Sequence, residues 1–326
     1  MKPTDDQVRG LLDDAVADVE PRRGLDDIRA RTATARRRPR VWGVSAAAVL
    51  ATAAAVLGVV VLGPGMVGQP GPDPGPAAGP VTGPNQAREV APTVLVYFVG
   101  SAGGGPRLFP EPRVATSKSA ALDEAVAAAV SGTAADADYR SLWPTGTTME
   151  RAQLNAGVLS VDLSGPVTER PPGLSQPGAA LALQQLVLTA QGVTGSRVPV
   201  TFLVGGRPAA TVLGEPTSRP VAAAATEDIV TPVSVSVPTE GSTVTSPFTV
   251  EGSASAFEAN VQWELVRDGA VVKRGFATAA ECCTLSPYSF RVTAPPGDYT
   301  LVVHDEDVSG GEGSGPTRDT KRFLVR

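Results

Sequence analysis

Val41-Trp-Gly-Val-Ser-Ala-Ala-Ala-Val-Leu50-Ala-Thr-Ala-Ala-Ala-Val-Leu-Gly-Val-Val-Val-Leu62 is a run of 22 uncharged residues. As a helix rising 1.5 Å per residue it reaches roughly 33 Å, enough to cross a hydrocarbon core of about 30 Å. Six arginines and no acid lie from Arg29 to Arg40, and no charge follows until Asp73. Arginine-rich flanks stay on the cytoplasmic side. The reading is therefore a single-pass protein of the cell membrane: residues 1–40 form a cytoplasmic tail, 41–62 the transmembrane helix, and the rest is extracytoplasmic. Two rivals compete with it. A buried soluble helix would rarely be apolar on every face. A cleaved signal peptide would use Ala51-Thr52-Ala53, but 40 residues precede the run, long for an n-region, and no lipobox cysteine follows.

On the cytoplasmic side Thr4, with Asp5 and Asp6 behind it, reads as a helix start. Val8, Leu11, Leu12, Ala15, Val16 and Val19 then recur at spacings of three and four, an amphipathic stripe that ends at Pro21. The stripe is either the inner face of a solvated helix or a docking helix for a cytoplasmic regulator. On the other side, residues 63–90 hold seven prolines and seven glycines. Such a segment cannot bury a core and reads as a semi-extended linker, with a reach of at most roughly 85 Å.

Globular patterning begins near Pro92. Thr93–Val99 is a continuous apolar strand ended by a glycine turn, with a partner strand over 107–116. Ser119 is expected to cap a helix running to Val130, with Leu122, Ala125, Val126 and Ala129 on one face. Met149–Asn155 and Val158–Leu163 form a hairpin turning at Asn155-Ala-Gly157. A second helix is predicted over Gly178–Ala190, followed by alternating Val198, Val200, Phe202 and Val204. Residues 91–222 are thus expected to form an α+β domain, a mixed sheet with two helices. From Ile229 the helical period disappears. About seven short strands with a turn signal every ten residues or so, Asp268-Gly269 among them, predict an all-β immunoglobulin-like sandwich over residues 229–326. Trp263 belongs to its core in this reading.

Composition excludes several chemistries. His304 is the only histidine, whereas serine and cysteine nucleophiles and zinc sites draw on histidine. It lies in the strand-like run Tyr299–His304. The triple glycine Gly103–Gly105 is followed by Pro106 and lacks the lysine of a phosphate loop. Asp305, Glu306, Asp307 and Glu312 crowd a Gly/Ser-rich loop, but their spacing matches no EF-hand, and a solvated loop is the better reading. No catalytic set, cofactor or metal is expected, and a net charge of −5 offers no nucleic-acid footprint. Cys282 and Cys283 are the only cysteines, and both are exported in this topology. Outside the membrane thiols tend to oxidise. Three fates compete for this pair: a vicinal disulfide, two free or partly buried thiols, or an intermolecular bridge.

Two adjacent stretches resemble known modules. Residues about 91–222 resemble the GerMN domain of sporulation and germination proteins. The carriers are Val96-Tyr-Phe-Val99, Arg107-Leu108, the Ala121–Gly132 helix, Leu142-Trp-Pro-Thr-Gly146, Gly157-Val-Leu-Ser-Val-Asp-Leu-Ser164, Gln184-Gln-Leu-Val-Leu-Thr189 and Val200-Thr-Phe-Leu-Val-Gly-Gly206. Residues about 232–326 resemble the immunoglobulin-like domain of spore germination proteins, through Val237-Pro-Thr-Glu-Gly241, Ser246-Pro-Phe-Thr-Val-Glu-Gly252, Ala256-Phe-Glu-Ala-Asn260 and Tyr288-Ser-Phe290. The resemblance implies a non-enzymatic role in binding or scaffolding at the envelope, with a cell-envelope protein or wall component as partner. A transmembrane regulator whose cytoplasmic helix engages a transcription or signalling partner is the alternative.

Overall fold

The computed structural model describes residues 91–305 and 316–326. The expectations for the tail, the transmembrane run and the linker lie outside those residues, as does most of the acidic loop. Among the described residues no helix is long and apolar enough to cross a membrane.

Continuous apolar patterning makes the first hairpin, β1 (Thr93–Ala102) against β2 (Gly105–Val114), in register from Thr93–Val114 to Ala102–Gly105. Helix α1 (Ala121–Ser131) follows. Its expected cap, Ser119, does not serve. Ala120 already has right-handed helical dihedrals and makes no side-chain cap bond, while the Ser117 hydroxyl accepts from the Ala120 N–H at 3.2 Å. Gly132 ends the helix at φ 75°, a left-handed conformation that suits a residue without Cβ. Strands β3 (Thr148–Asn155) and β4 (Val158–Ser164) form the predicted hairpin, with Ala156 and Gly157 at φ 48° and 77°.

Helix α2 (Gln176–Thr194) starts two residues earlier and ends four later than its apolar spacing alone predicts. The extension comes from its end signals. Ser175 accepts from the Gly178 N–H at 3.2 Å, Pro177 sits in the first turn, and Gly195 terminates at φ 64°. It delivers the chain to β5 (Val200–Val204), which pairs parallel to β4, and β6 (Arg207–Pro208) completes the sheet in the order β3-β4-β5-β6. Strands β7 (Thr211–Val212) and β8 (Glu215–Pro216) form a small separate pair. The mixed sheet is therefore real, but the β1–β2 hairpin stands as its own two-stranded sheet. Val96, Phe98, Val126, Leu163, Leu186 and Phe202 are fully buried where the two helices meet these sheets. A single helical turn, α3 (Thr226–Ile229), leads into the second module.

There alternation governs. Strands β9 (Val233–Val237), β11 (Phe248–Ala254) and β14 (Ser286–Val292) make one sheet. The facing sheet holds β10 (Thr243–Val244), β12 (Asn260–Arg267), β13 (Ala270–Thr278), β15 (Gly297–His304) and β16 (Arg318–Val325), in the order β10-β16-β15-β12-β13. The sandwich has eight strands. The one beyond the expected seven is β10, two residues long and parallel to the end of β16, too short to leave a period in the sequence. Trp263 is in the core, its ring stacked on Phe290 with centroids 5.0 Å apart. Gly275 lies opposite it on β13, and a Cβ there would come within 2.6 Å of the indole. His304 ends β15, with Nδ1 2.8 Å from the Asp305 carbonyl.

Candidate functional site

The alternation of β16 puts Asp319, Lys321, Phe323 and Val325 on the inward face of the sandwich, all of them buried. Two of these four are charged. An ammonium or carboxylate removed from water is destabilising by several kcal/mol unless it is paired and hydrogen-bonded. The partners come from the first module, from the segment between α1 and β3.

Lys321 Nζ lies 2.7 Å from Asp136 Oδ2, 3.0 Å from Asp319 Oδ1 and 2.6 Å from the Tyr139 hydroxyl oxygen, and it donates to the Thr320 carbonyl at 3.1 Å. It sits 4.4 Å from the centroid of the Tyr139 ring, at the hydroxyl edge. The Tyr139 hydroxyl donates to Asp319 Oδ1 at 2.5 Å, and the Val235 N–H donates to Asp319 Oδ2 at 2.6 Å. One ammonium thus faces two carboxylates. Burial pushes the Asp319 carboxyl above its ordinary value, against the pull of the Lys321 charge, the Tyr139 hydroxyl and the Val235 amide. Burial, then the Asp319 charge, drives the Tyr139 phenol far upward, so it remains a donor.

The first module holds its half of the seam rigidly. Glu111, on β2 and 4% exposed, accepts from the Ala135 N–H at 2.9 Å and the Asp136 N–H at 3.1 Å. Arg113 Nε donates to the same carboxylate at 2.6 Å and its Nη2 donates to the Thr133 carbonyl at 2.7 Å. Tyr139 is packed on Phe109, centroids 4.9 Å apart. On the seam's exposed margin the Thr320 hydroxyl donates to Asp138 Oδ2 at 2.8 Å.

A second, apolar contact lies where the chain passes between the modules. Val230 pairs with Leu108 in a parallel bridge, and the Thr231 N–H donates to the Leu108 carbonyl at 3.0 Å. Val99, Leu108, Leu181 and Val230 are buried together. Arg107 holds α3 by donating to the Glu227 carbonyl at 3.0 Å and to the Asp228 carbonyl.

Beside this connector runs a cleft of about 580 Å3. Thr226, Glu227, Val230, Thr231 and Pro232 line one side; Ser255 and the segment Cys283–Leu285 line the rest. Cys282 and Cys283 are joined as a vicinal disulfide, with Cα atoms 3.8 Å apart, and both are exposed. Cys283 has φ 66°.

Among the described residues no three His, Cys, Asp or Glu side chains converge to hold a metal ion. Sequence patterning singles out the cysteines but not Asp136, Tyr139, Asp319 and Lys321. A signal for the last two exists: on β16 they share parity with Phe323 and Val325, so a charged pair occupies core-facing positions. Nothing local marks Asp136 or Tyr139 as their partners.

Two family models match the chain. One, described as sporulation and spore germination, covers residues 95–210; the other, the immunoglobulin-like domain of bacterial spore germination, covers residues 232–312. Among solved structures, the tandem GerMN domains of the sporulation protein GerM from Bacillus subtilis align at 12% identity and a TM-score of 0.32, over 62% of each chain. A putative lipoprotein from Clostridium perfringens aligns at 13% identity and a TM-score of 0.29, over 40% of this chain and 87% of its own. The fibronectin(III)-like modules of Clostridium thermocellum CbhA align at 18% identity and a TM-score of 0.20, over 29% of this chain and 95% of theirs. No curated protein matches the chain.

Proposed function

From a chain that carries a sporulation and spore germination domain followed by the immunoglobulin-like domain of bacterial spore germination, we propose a non-enzymatic, membrane-anchored protein of the cell envelope. Its two exported modules act as one rigid scaffold that binds an envelope protein or wall component. The observation that supports this best is the seam of Asp136, Tyr139, Asp319 and Lys321. Two modules on a free tether would sample many orientations, and each new contact would carry an ordering cost. A buried ion pair with directional hydrogen bonds sets one orientation, so a partner touching both modules meets a preorganised surface. The apolar run 41–62 would hold this unit at the membrane and the Pro/Gly-rich segment 63–90 would set its distance from the bilayer.

In vivo crosslinking of the full chain tests the reading, with residues 1–90 alone as the control. Recovery of an envelope component with the full chain and not with the control is the expected result. Identical recoveries would remove the proposal. The stripe from Val8 to Val19 favours a second reading, a transmembrane regulator with a cytoplasmic partner. Deleting residues 1–28 should then alter transcription while the exported half stays in place.

A further inference from the structure

We propose that the Cys282–Cys283 disulfide is a thiol–disulfide exchange site, and that its redox state sets one wall of the cleft beside the connector. The co-reactant is a dithiol. The inference is independent of which envelope partner the scaffold binds.

A disulfide that stabilises a fold does so chiefly by closing a long loop in the unfolded chain. This one joins adjacent residues and closes almost none. It staples nothing to anything distant, so overall stability does not account for it. What it constrains is its own loop, between β13 and β14.

That loop is tied at its base and exposed at its tip. The Ala279 N–H donates to the Ala259 carbonyl at 2.9 Å and the Ala280 N–H to the Pro287 carbonyl at 2.9 Å. The Ser286 hydroxyl closes the base, accepting from the Glu281 N–H and donating to the Glu281 carbonyl, each at 3.0 Å. Between these ties, Cys282, Cys283, Thr284 and Leu285 are all exposed. An attacking thiolate can reach the sulfurs without opening the core.

The tip is coupled to the cleft through Cys283. Its N–H donates to the Ala256 carbonyl at 3.4 Å, and its φ of 66° is a conformation that a residue with a Cβ keeps only where its surroundings impose it. Cys283, Thr284 and Leu285 face α3 and Thr231 across the cleft. Reduction frees Cys283 to return to the right-handed or extended region, which moves this wall.

The chemistry balances as ordinary exchange. A thiolate of the dithiol attacks one of the two sulfurs, the S–S bond breaks, and the other cysteine leaves as a thiolate and takes up a proton. The second thiol of the reagent then attacks the mixed disulfide and releases the remaining cysteine. The protein pair gains two electrons and two protons; the dithiol becomes a disulfide. With no other cysteine in the chain, intramolecular reoxidation can only restore the same pair.

The test uses the full chain in native buffer, dithiothreitol as the dithiol, and maleimide labelling read by mass. Without reductant no label is expected; with it, two labels, an unchanged unfolding temperature, and amide exchange across 226–232 and 282–285 faster by about threefold or more. The C282S/C283S double variant should show the fast exchange without reductant and ignore dithiothreitol. Two labels before reduction would overturn the proposal, as would labelling only in denaturant. So would native reduction that leaves exchange at 226–232 unaltered, a result readable on the natural chain even if the variant fails to fold.

Discussion

Lys321 Nζ of the sandwich lies 2.7 Å from Asp136 Oδ2 of the first module, with both side chains 2% exposed and the two residues 185 positions apart in the chain. The pair matters because neither charge has water to fall back on. Each is tolerable in the docked seam only because the other is there to pair with it.

Replacing the cation should therefore loosen the whole unit. Lys321→Met leaves Asp136 and Asp319 buried without their counter-charge, and breaking a buried pair from one side is destabilising by about 3–5 kcal/mol. Chemical denaturation should show the loss. Limited proteolysis should cut the connector around 218–232 faster than in the natural chain. A change under about 1 kcal/mol would mean the seam is not closed in solution.

Acid should act on Asp319 in a sense opposite to the usual carboxylate. Its folded value is raised above the ordinary 3.8 because burial disfavours the charge. The neutral form thus contributes stability that is fully present below the ordinary value and is lost as pH rises through the raised one. Within that window the folded chain holds more protons than the unfolded chain, so stability falls with rising pH. Asp319→Asn abolishes the titration. The stability difference between natural chain and variant should shift in favour of the variant as pH rises; a difference flat with pH would contradict the assignment.

The clamp beneath the seam gives a third expectation. Glu111→Gln weakens charge-assisted bonds to the Ala135 and Asp136 amides and the ion pair with Arg113. A loss of about 1.5–3 kcal/mol is expected. Combined with Lys321→Met the losses should fall short of additive, because both substitutions release the same loop. A double-mutant cycle measures this.

Gly252 offers a test of the sandwich alone. A Cβ on β11 at this point would collide with the Ser234 carbonyl oxygen and the Tyr288 hydroxyl, and the carbonyl belongs to a paired backbone. The Tyr288 hydroxyl also donates to that same carbonyl at 2.9 Å. Gly252→Ala should lower stability by about 1–3 kcal/mol or more, seen as a lower thermal midpoint. An unchanged midpoint would mean that β9 and β11 are not paired in this register.

Much of the fold was legible in short windows. The Asn155-Ala-Gly157 and Asp268-Gly269 turns, the apolar stripe of α2 and the alternation around Trp263 each state their structure within ten residues or so. Errors arose where the deciding contact was not in the pattern. Ser119 looked like a cap, yet the chain was already turning at Ala120. The two-residue β10 carries no period of its own and exists because β16 passes beside it.

The order of elements, the two module types and the inward face of each strand follow from the amino-acid sequence, because side-chain spacing couples residues two to four apart and needs no knowledge of the chain's path. The company of the inward-facing Asp319 and Lys321 does not follow from it. Their partners Asp136 and Tyr139 lie some 180 residues away, and only docking of one module on the other brings them within hydrogen-bonding distance. A buried charge announces in sequence that it needs a counterpart; which residue answers is settled by three-dimensional proximity.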